Sequence, residues 1–441
     1  MTSTLRILGR RNILTGRGRS SAAPATDLAI PTHFRCPISL DLMKDPVTLC
    51  TGITYDRQSI ETWLDSGNVT CPVTNQVLKT FDQIPNHTIR RMIQDWCVDN
   101  RSHGIERIPT PRIPVSAAAV SEMLLEISGA TRRRDLGRVR DSVRKVSGLC
   151  SDSERDRRCV LDGGAAPVLS AAFDSFAANF LDNQTSTGVL EEILQVVTRM
   201  FPLDSEARSY LGSDSSLRAL LWFLKCGGLS VRRNAVLLIR ELVTADKRNL
   251  NTLSQTEGFP EAFTKIIREP ICPATSKASL VIVYHLVTSS LHTQKMISTF
   301  VEMGLVSLLL EMVVDSEKSI SEKALGVLDG LCNSEEGKKA AVGHALAIPL
   351  LVKKMFRVSD LATEFVVSTL WKLGKNSRRD GGVLIEALQA GAFQKVLLLL
   401  QVGCNEKTKE KATELLKMLN IHRERGECVD SMDFKQLKRP F

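Results

Sequence analysis

Across residues 116–425 apolar positions recur at three- and four-residue intervals, in stretches separated by short polar or Gly-containing breaks. That spacing marks one face of a helix, and strand signals are nearly absent from this part of the chain. The stretches also resemble one another. Residues 258–263, 304–310, 346–352 and 391–397 open alike, three of them on a glycine followed by apolar residues. Second apolar helices of matching character follow at 278–286, 324–331, 365–373 and 412–419. Weaker copies stand upstream at 164–169 and 217–224. One helical hairpin cannot bury its apolar face alone, whereas stacked copies share a continuous core.

Residues 31–105 have a different texture, rich in Pro, Gly, Thr and aromatics. Residues 47–49 and 53–55 flank Thr51-Gly52 and predict a short hairpin. Asp56 fits an N-cap whose carboxylate accepts from the free amides of the next turn. The helix that follows places Ile60, Trp63 and Leu64 on one face, and Gly67 ends it. A second loop runs from Thr70 to Asn75. Asn86 then caps a second helix with Ile89, Ile93 and Trp96 facing inward. Residues 106–115 carry Pro109, Pro111 and Pro114 and predict an extended linker. Residues 1–30 and 426–441 read as tails.

Composition narrows the picture. The chain has 441 residues, 43% hydrophobic and 24% charged, which is globular composition with room for two or three domains. Its apolar runs, such as 396–400, fall far short of the roughly 20 residues a membrane-spanning helix needs. Eleven cysteines without a Cys-x-x-Cys pair point to reduced thiols. Net charge is +9, and Arg6, Arg10, Arg11, Arg17 and Arg19 against Asp27 put +4 of it in the first 30 residues. That tail reads as a disordered arm touching acidic surfaces weakly, or as an organelle transit peptide. The rest shows no basic stripe with aromatics beside it, so no specific nucleic-acid partner is expected. Cytoplasmic location is the default expectation, with the Arg-rich tail leaving organelle targeting or peripheral membrane contact open.

The compact block holds Cys36, Cys50, Cys71, Cys97, His33 and His87, enough ligands by count for zinc. Structural zinc sites take their ligands in close pairs, and none occurs here, so neither metal nor cofactor is expected. Cys36 and Cys71 each precede a proline, with no His or Asp pattern to make a nucleophile, and read as buried structural thiols.

The repeat spacing of roughly 43 to 46 residues is the range of armadillo and HEAT repeats. It predicts a right-handed α-solenoid with a long groove. The compact block resembles a U-box, a RING-like fold held by hydrogen bonds and ion pairs instead of zinc. The resemblance rests on Phe34-x-Cys36-Pro37-Ile38-Ser39-Leu40, Met43-x-Asp45-Pro46-Val47 and Thr51-Gly52-x-Thr54-Tyr55-Asp56-Arg57. Trp63-Leu64, Thr70-Cys71-Pro72-Val73-Thr74 and Ile84-Pro85-Asn86 complete it. The combination is specific. A mainly α chain with a small α+β U-box followed by an armadillo-type solenoid is similar to the plant U-box ubiquitin ligases.

That resemblance implies an enzyme of the RING type. It would bind a ubiquitin-charged E2 and promote transfer to lysines of a protein substrate held in the armadillo groove, without a covalent intermediate. By motif position, Ile38 and Pro72 touch the E2, and Leu40 and Trp63 serve either in that patch or in the core. Asn75 stands where some relatives carry a basic residue linking E2 and ubiquitin, and brings no charge to that role. Asp45, Asp56, Arg57 and Arg90 are candidates for the polar network that replaces zinc, or for capping and surface charge. The competing reading is an armadillo scaffold or adaptor whose U-box no longer activates E2.

Overall fold

The computed structural model describes residues 30–423, except 104, 107, 109–114, 179, 181–183, 290–292 and 376–380. The expected tails, apart from Ile30, and most of the expected linker lie outside the described residues. The chain divides into two compact units, one ending at Pro114 and the other beginning at Val115.

In the first unit, β1 (Pro46–Thr48) and β2 (Thr54–Asp56) pair antiparallel, with Val47 opposite Tyr55. Gly52, at φ 79°, makes the turn between them. A third strand, β3 (Ile84–Pro85), pairs with the other edge of β1, giving the order β2-β1-β3. Two residues are too few to show periodicity, and the sequence marks them only as the approach to a helix. Helix α1 (Arg57–Asp65) buries Ile60, and α2 (His87–Asp99) buries Ile93 and Cys97. Trp63, Leu64, Ile89 and Trp96 pack partly buried against the same core.

Asn86 caps α2 by accepting from the Ile89 amide at 3.0 Å. Its Nδ2 donates to the hydroxyls of Thr48 and Thr54, so one side chain starts the helix and ties it to the hairpin. Asp56 holds the N-cap position of α1, but its carboxylate makes no bond to the helix. It accepts instead from the amides of Lys44 at 2.7 Å and Asp45 at 2.9 Å. The expected cap is therefore a loop clamp. Ile108, placed in the linker by composition, is buried in this unit's core, and its carbonyl accepts from the Gln94 side chain.

The second unit is helical. Among the described residues, seven helices stack in succession: α3 (Leu136–Asp152), α4 (Thr187–Val197), α5 (Leu229–Ala245), α6 (Pro273–Thr288), α7 (Lys318–Leu331), α8 (Asp360–Lys375) and α9 (Glu406–Ile421). Each packs on the next, and the four predicted second helices all fall within this ladder. The remaining helices connect the rungs and close the core, which runs from Val120 to Leu419 as one apolar cluster. The glycines that open the copies have a conformational reason. Gly164, Gly258, Gly304 and Gly391 all sit at φ between 77° and 84° and turn the chain into the next helix, a conformation that costs other residues about 1–2 kcal/mol. Side-chain bonds join neighbouring rungs at the repeat spacing. Lys372 to Asp329, Trp371 to Glu414, and Lys411 to Ser368 each span 43 residues. Among the described residues no single helix is long and apolar enough to cross a membrane.

Candidate functional site

The first unit presents two loops built alike. In loop 1 the Cys36 amide donates to Asp41 O at 2.8 Å and the Leu40 amide to Cys36 O at 2.9 Å. In loop 2 the Cys71 amide donates to Gln76 O at 2.8 Å and the Asn75 amide to Cys71 O at 2.9 Å. Arg35 bridges Leu42, and Thr70 bridges Val77, at the necks. Met43 and Leu78 then anchor the outgoing chains in the core. The signal lay in the sequence as Cys-Pro-Ile-Ser at 36–39 and Cys-Pro-Val-Thr at 71–74. This equivalence adds Val73, the counterpart of Ile38, to the candidate residues; it is 51% exposed.

At the fifth position of each loop the backbone is left-handed, with φ 62° at Leu40 and 55° at Asn75. Asn tolerates this region because its short polar side chain bonds locally, whereas Leu is strained there. Leu40 is nevertheless 55% exposed, so the fold holds an apolar side chain in solvent at a backbone cost. Ile38 is half-buried, packed partly against the core, Pro72 is half-buried in loop 2, and Asn75 is exposed. Trp63 lies half-buried against the core, and its indole N–H donates to Thr70 O at 2.9 Å at the neck of loop 2. It thus belongs to the support of loop 2.

Two adjacent residues of β2 hold both loops. The Asp56 amide donates to Cys36 Sγ at 3.3 Å, while its carboxylate clamps the chain leaving loop 1. The fully buried Tyr55 hydroxyl lies 3.0 Å from Cys71 Sγ and accepts from the Val73 amide. Thr51 Oγ1 also donates to Cys71 Sγ. Burial pushes the Cys71 thiol up, but hydrogen bonds from Thr51, Thr74 and Tyr55 outweigh it and bring it from the ordinary 9.0 to about 6. Cys36 is lowered too: burial opposes, and the amides of Ser39, Asp56 and Ile38 prevail. Tyr55 is raised by burial and then by the Cys71 sulfur. Sequence reading assigned Tyr55 no role, because partners 16 residues apart leave no local pattern.

Behind loop 1, Asp45 joins two cations. Its Oδ2 accepts from Arg57 Nε at 2.7 Å and its Oδ1 from Arg90. All three side chains are mostly buried, at 21%, 15% and 12% exposure. Arg57 extends the network to Gln83, and its amide donates to Asp45 O. The structure therefore brings Asp45, Arg57 and Arg90 together directly, with Asp56 bonded to the Asp45 amide. Charge-assisted bonds of this kind are roughly twice as strong as neutral ones. Among the described residues, no three His, Cys, Asp or Glu side chains converge as a metal site.

Residues 30–102, which contain both loops and their supports, match the U-box domain family. Residues 119–439 match the family described as plant U-box protein ARM repeat region, a match that runs into the stretch read from sequence as a tail. U-box domain-containing protein 21 of Arabidopsis thaliana is 47% identical over 421 residues, 95% of this chain and 94% of that protein. U-box domain-containing protein 20 of the same plant is 44% identical, covering 96% and 95%. E3 ubiquitin-protein ligase PUB22 of Arabidopsis thaliana is 34% identical, covering 89% of this chain and 94% of its own length. Likeness of this extent spans the twin-loop unit and the helical ladder together, and the chain belongs to the plant U-box proteins that carry an armadillo repeat region.

Proposed function

We propose that this protein is a RING-type E3 ubiquitin ligase. Its two loops dock a ubiquitin-charged E2, and its repeat region holds the protein that receives ubiquitin on a lysine. The observation that carries the reading is Leu40, an exposed apolar side chain kept at φ 62° in loop 1, together with Val73, exposed in loop 2 at the position equivalent to Ile38. Apolar side chains already held on a rigid frame dock with little further loss of conformational freedom. The frame's rigidity comes from the Tyr55–Asp56 hub and the Asp45–Arg57–Arg90 network.

The chemistry asked of such a site is positioning. A lysine amine attacks the E2 thioester, the acyl bond passes to nitrogen, and the E2 thiolate leaves. Holding amine and thioester in near-attack geometry removes much of the barrier without a nucleophile of the ligase's own. The loop thiols suit this division of work. Cys36 and Cys71 are fully buried and committed to hydrogen bonds with Asp56 and Tyr55 of β2. Asn75, exposed at the tip of loop 2, offers a neutral hydrogen bond to the docked conjugate, weaker than a cation would give.

The test is transfer with E1, a promiscuous E2, ubiquitin and ATP. Ile38→Ala and Pro72→Ala are each expected to lower autoubiquitination about tenfold or more, the loss of one interface anchor of about 1.4 kcal/mol. Full activity in both variants overturns the assigned contact surface.

A further inference from the structure

One cleft in the repeat region is lined by cations without a single acid. It lies where the helix Leu305–Asp315 ends, α7 begins and the helix Ala347–Lys354 runs out. Its volume is about 160 Å³, and Lys318, Lys353, Lys354 and Arg357 surround it with Ser316 and Ser321. Among the described residues, none of these four cations has a carboxylate within salt-bridge distance. Glu317, the nearest acid along the chain, is bonded to Lys277 at 2.6 Å. Lys395 adds to the crowding from the next repeat: burial first, and the Arg357 charge second, lower its pKa.

Two further features argue for a built site. The turn presenting Arg357 passes through Phe356 at φ 61°, a strained conformation for an aromatic residue, pinned by a bond from its amide to Thr363 Oγ1. Lys354 is turned toward the cleft wall, its Nζ 3.4 Å from Val314 O. Like charges gathered around a recess repel one another until an anion enters. A cleft this small lies below the roughly 300–1,000 Å³ of small-molecule pockets, so it fits one charged group of a larger partner. No aromatic residue lines it to stack a base, as single-stranded nucleic acid would require. A membrane surface is met chiefly by clusters of about 4–8 Lys/Arg on one helix face, and here the four cations come from two separate helix ends and a turn.

We propose that this cleft binds the phosphate of a phosphorylated serine or threonine in a partner protein segment. The proposal deepens the functional reading above and rests on its assignment of the repeat region to substrate. A phosphate carries nearly two charges and three strong acceptor oxygens, which cationic side chains and hydroxyls satisfy together. Arg and Lys clusters recognise phosphorylated motifs in this way elsewhere.

The test uses the full chain and a fluorescent phosphoserine peptide library with degenerate flanks, beside the same library unphosphorylated. Fluorescence anisotropy is expected to show at least tenfold tighter binding of the phosphorylated pool, weakening as salt rises. The preference is expected to vanish in the double variant Lys353→Gln/Arg357→Gln, with an unchanged melting temperature. Equal binding of the two pools, or a preference that survives the double variant, overturns the proposal. So does tighter binding to phosphoinositide-containing vesicles than to the phosphopeptides. No E1 or E2 is present, so failure here leaves the transfer reading standing, and failure of transfer leaves this binding measurable.

Discussion

Cys71 and Cys332 are both fully buried, one in each unit, and their surroundings drive them in opposite directions. Cys332 follows α7 inside the apolar stack, where burial first and Asp329 second push its thiol up to about 12. Cys71 is held at about 6 because hydroxyls and an amide point at its sulfur. Cys332 is surrounded by hydrocarbon, and Cys71, in the U-box, by donors. A unit of this size has too little apolar interior to be secure on burial alone. It uses charge-assisted and sulfur hydrogen bonds where other small domains use disulfides or metals. Stability in the U-box is thus concentrated in a few side chains, while in the solenoid it is spread over many similar interfaces.

The largest effect should come from Asp45→Ala, which leaves Arg57 and Arg90 mostly buried without their carboxylate. Breaking a buried pair in this way costs about 3–5 kcal/mol, enough to unfold so small a unit. Hydrogen exchange should show amides of residues 34–99 losing protection while those of the ladder keep theirs. Loss of protection in both units would mean that stability is not partitioned as described.

Next in size is a pH effect specific to the U-box. The Cys71 pKa falls from 9.0 when unfolded to about 6 when folded, so the folded state releases the proton more readily. Its contribution is complete above about pH 9, shrinks as pH falls between those values and is gone below about 6. Cys71→Ser cannot ionise there, and its melting temperature should rise less than that of the natural protein from pH 6 to 9. Parallel curves would remove the thiolate from the account of loop 2.

In the ladder, Gly304→Ala should be milder. An added Cβ meets no atom within 4 Å, so only the φ of 77° is penalised, by about 1 kcal/mol. A calorimetric shift of the repeat region much beyond a few degrees would show that one turn matters more than a spread-out stack allows. Leu40→Gly should have the smallest effect on stability, and of opposite sign. It relieves the strain at φ 62°, leaving a net gain of about 0.5 kcal/mol after the added freedom of the unfolded chain. Ubiquitin transfer should fall in the same variant. Lowered stability would mean that Leu40 is a packing residue.

The solenoid was legible because its requirements are local and recurrent. Gly258, Gly304 and Gly391 each answer a left-handed turn, and the apolar runs after them answer one helix face. Asn86 was legible for the same reason, since cap and capped amide lie three residues apart. Asp56 was read correctly in position and wrongly in partner. A carboxylate at a helix start can serve the helix amides or any loop that folds back, and here Lys44 and Asp45, 12 and 11 residues away, take it. Tyr55 and β3 escaped because one acts through Cys71 and Val73 and the other through pairing with β1. Val73 could have been found from Ile38, had the two Cys-Pro segments been aligned with each other.

The 43-residue bonds between rungs bear on how this chain tolerates length change. One residue inserted within α8 would rotate everything beyond it by about 100°, carrying Trp371 and Lys372 away from Glu414 and Asp329 together. The same insertion in a turn between helices leaves both faces in phase. Natural variants that lengthen or shorten the ladder should therefore accumulate at its turns, or arrive as whole rungs.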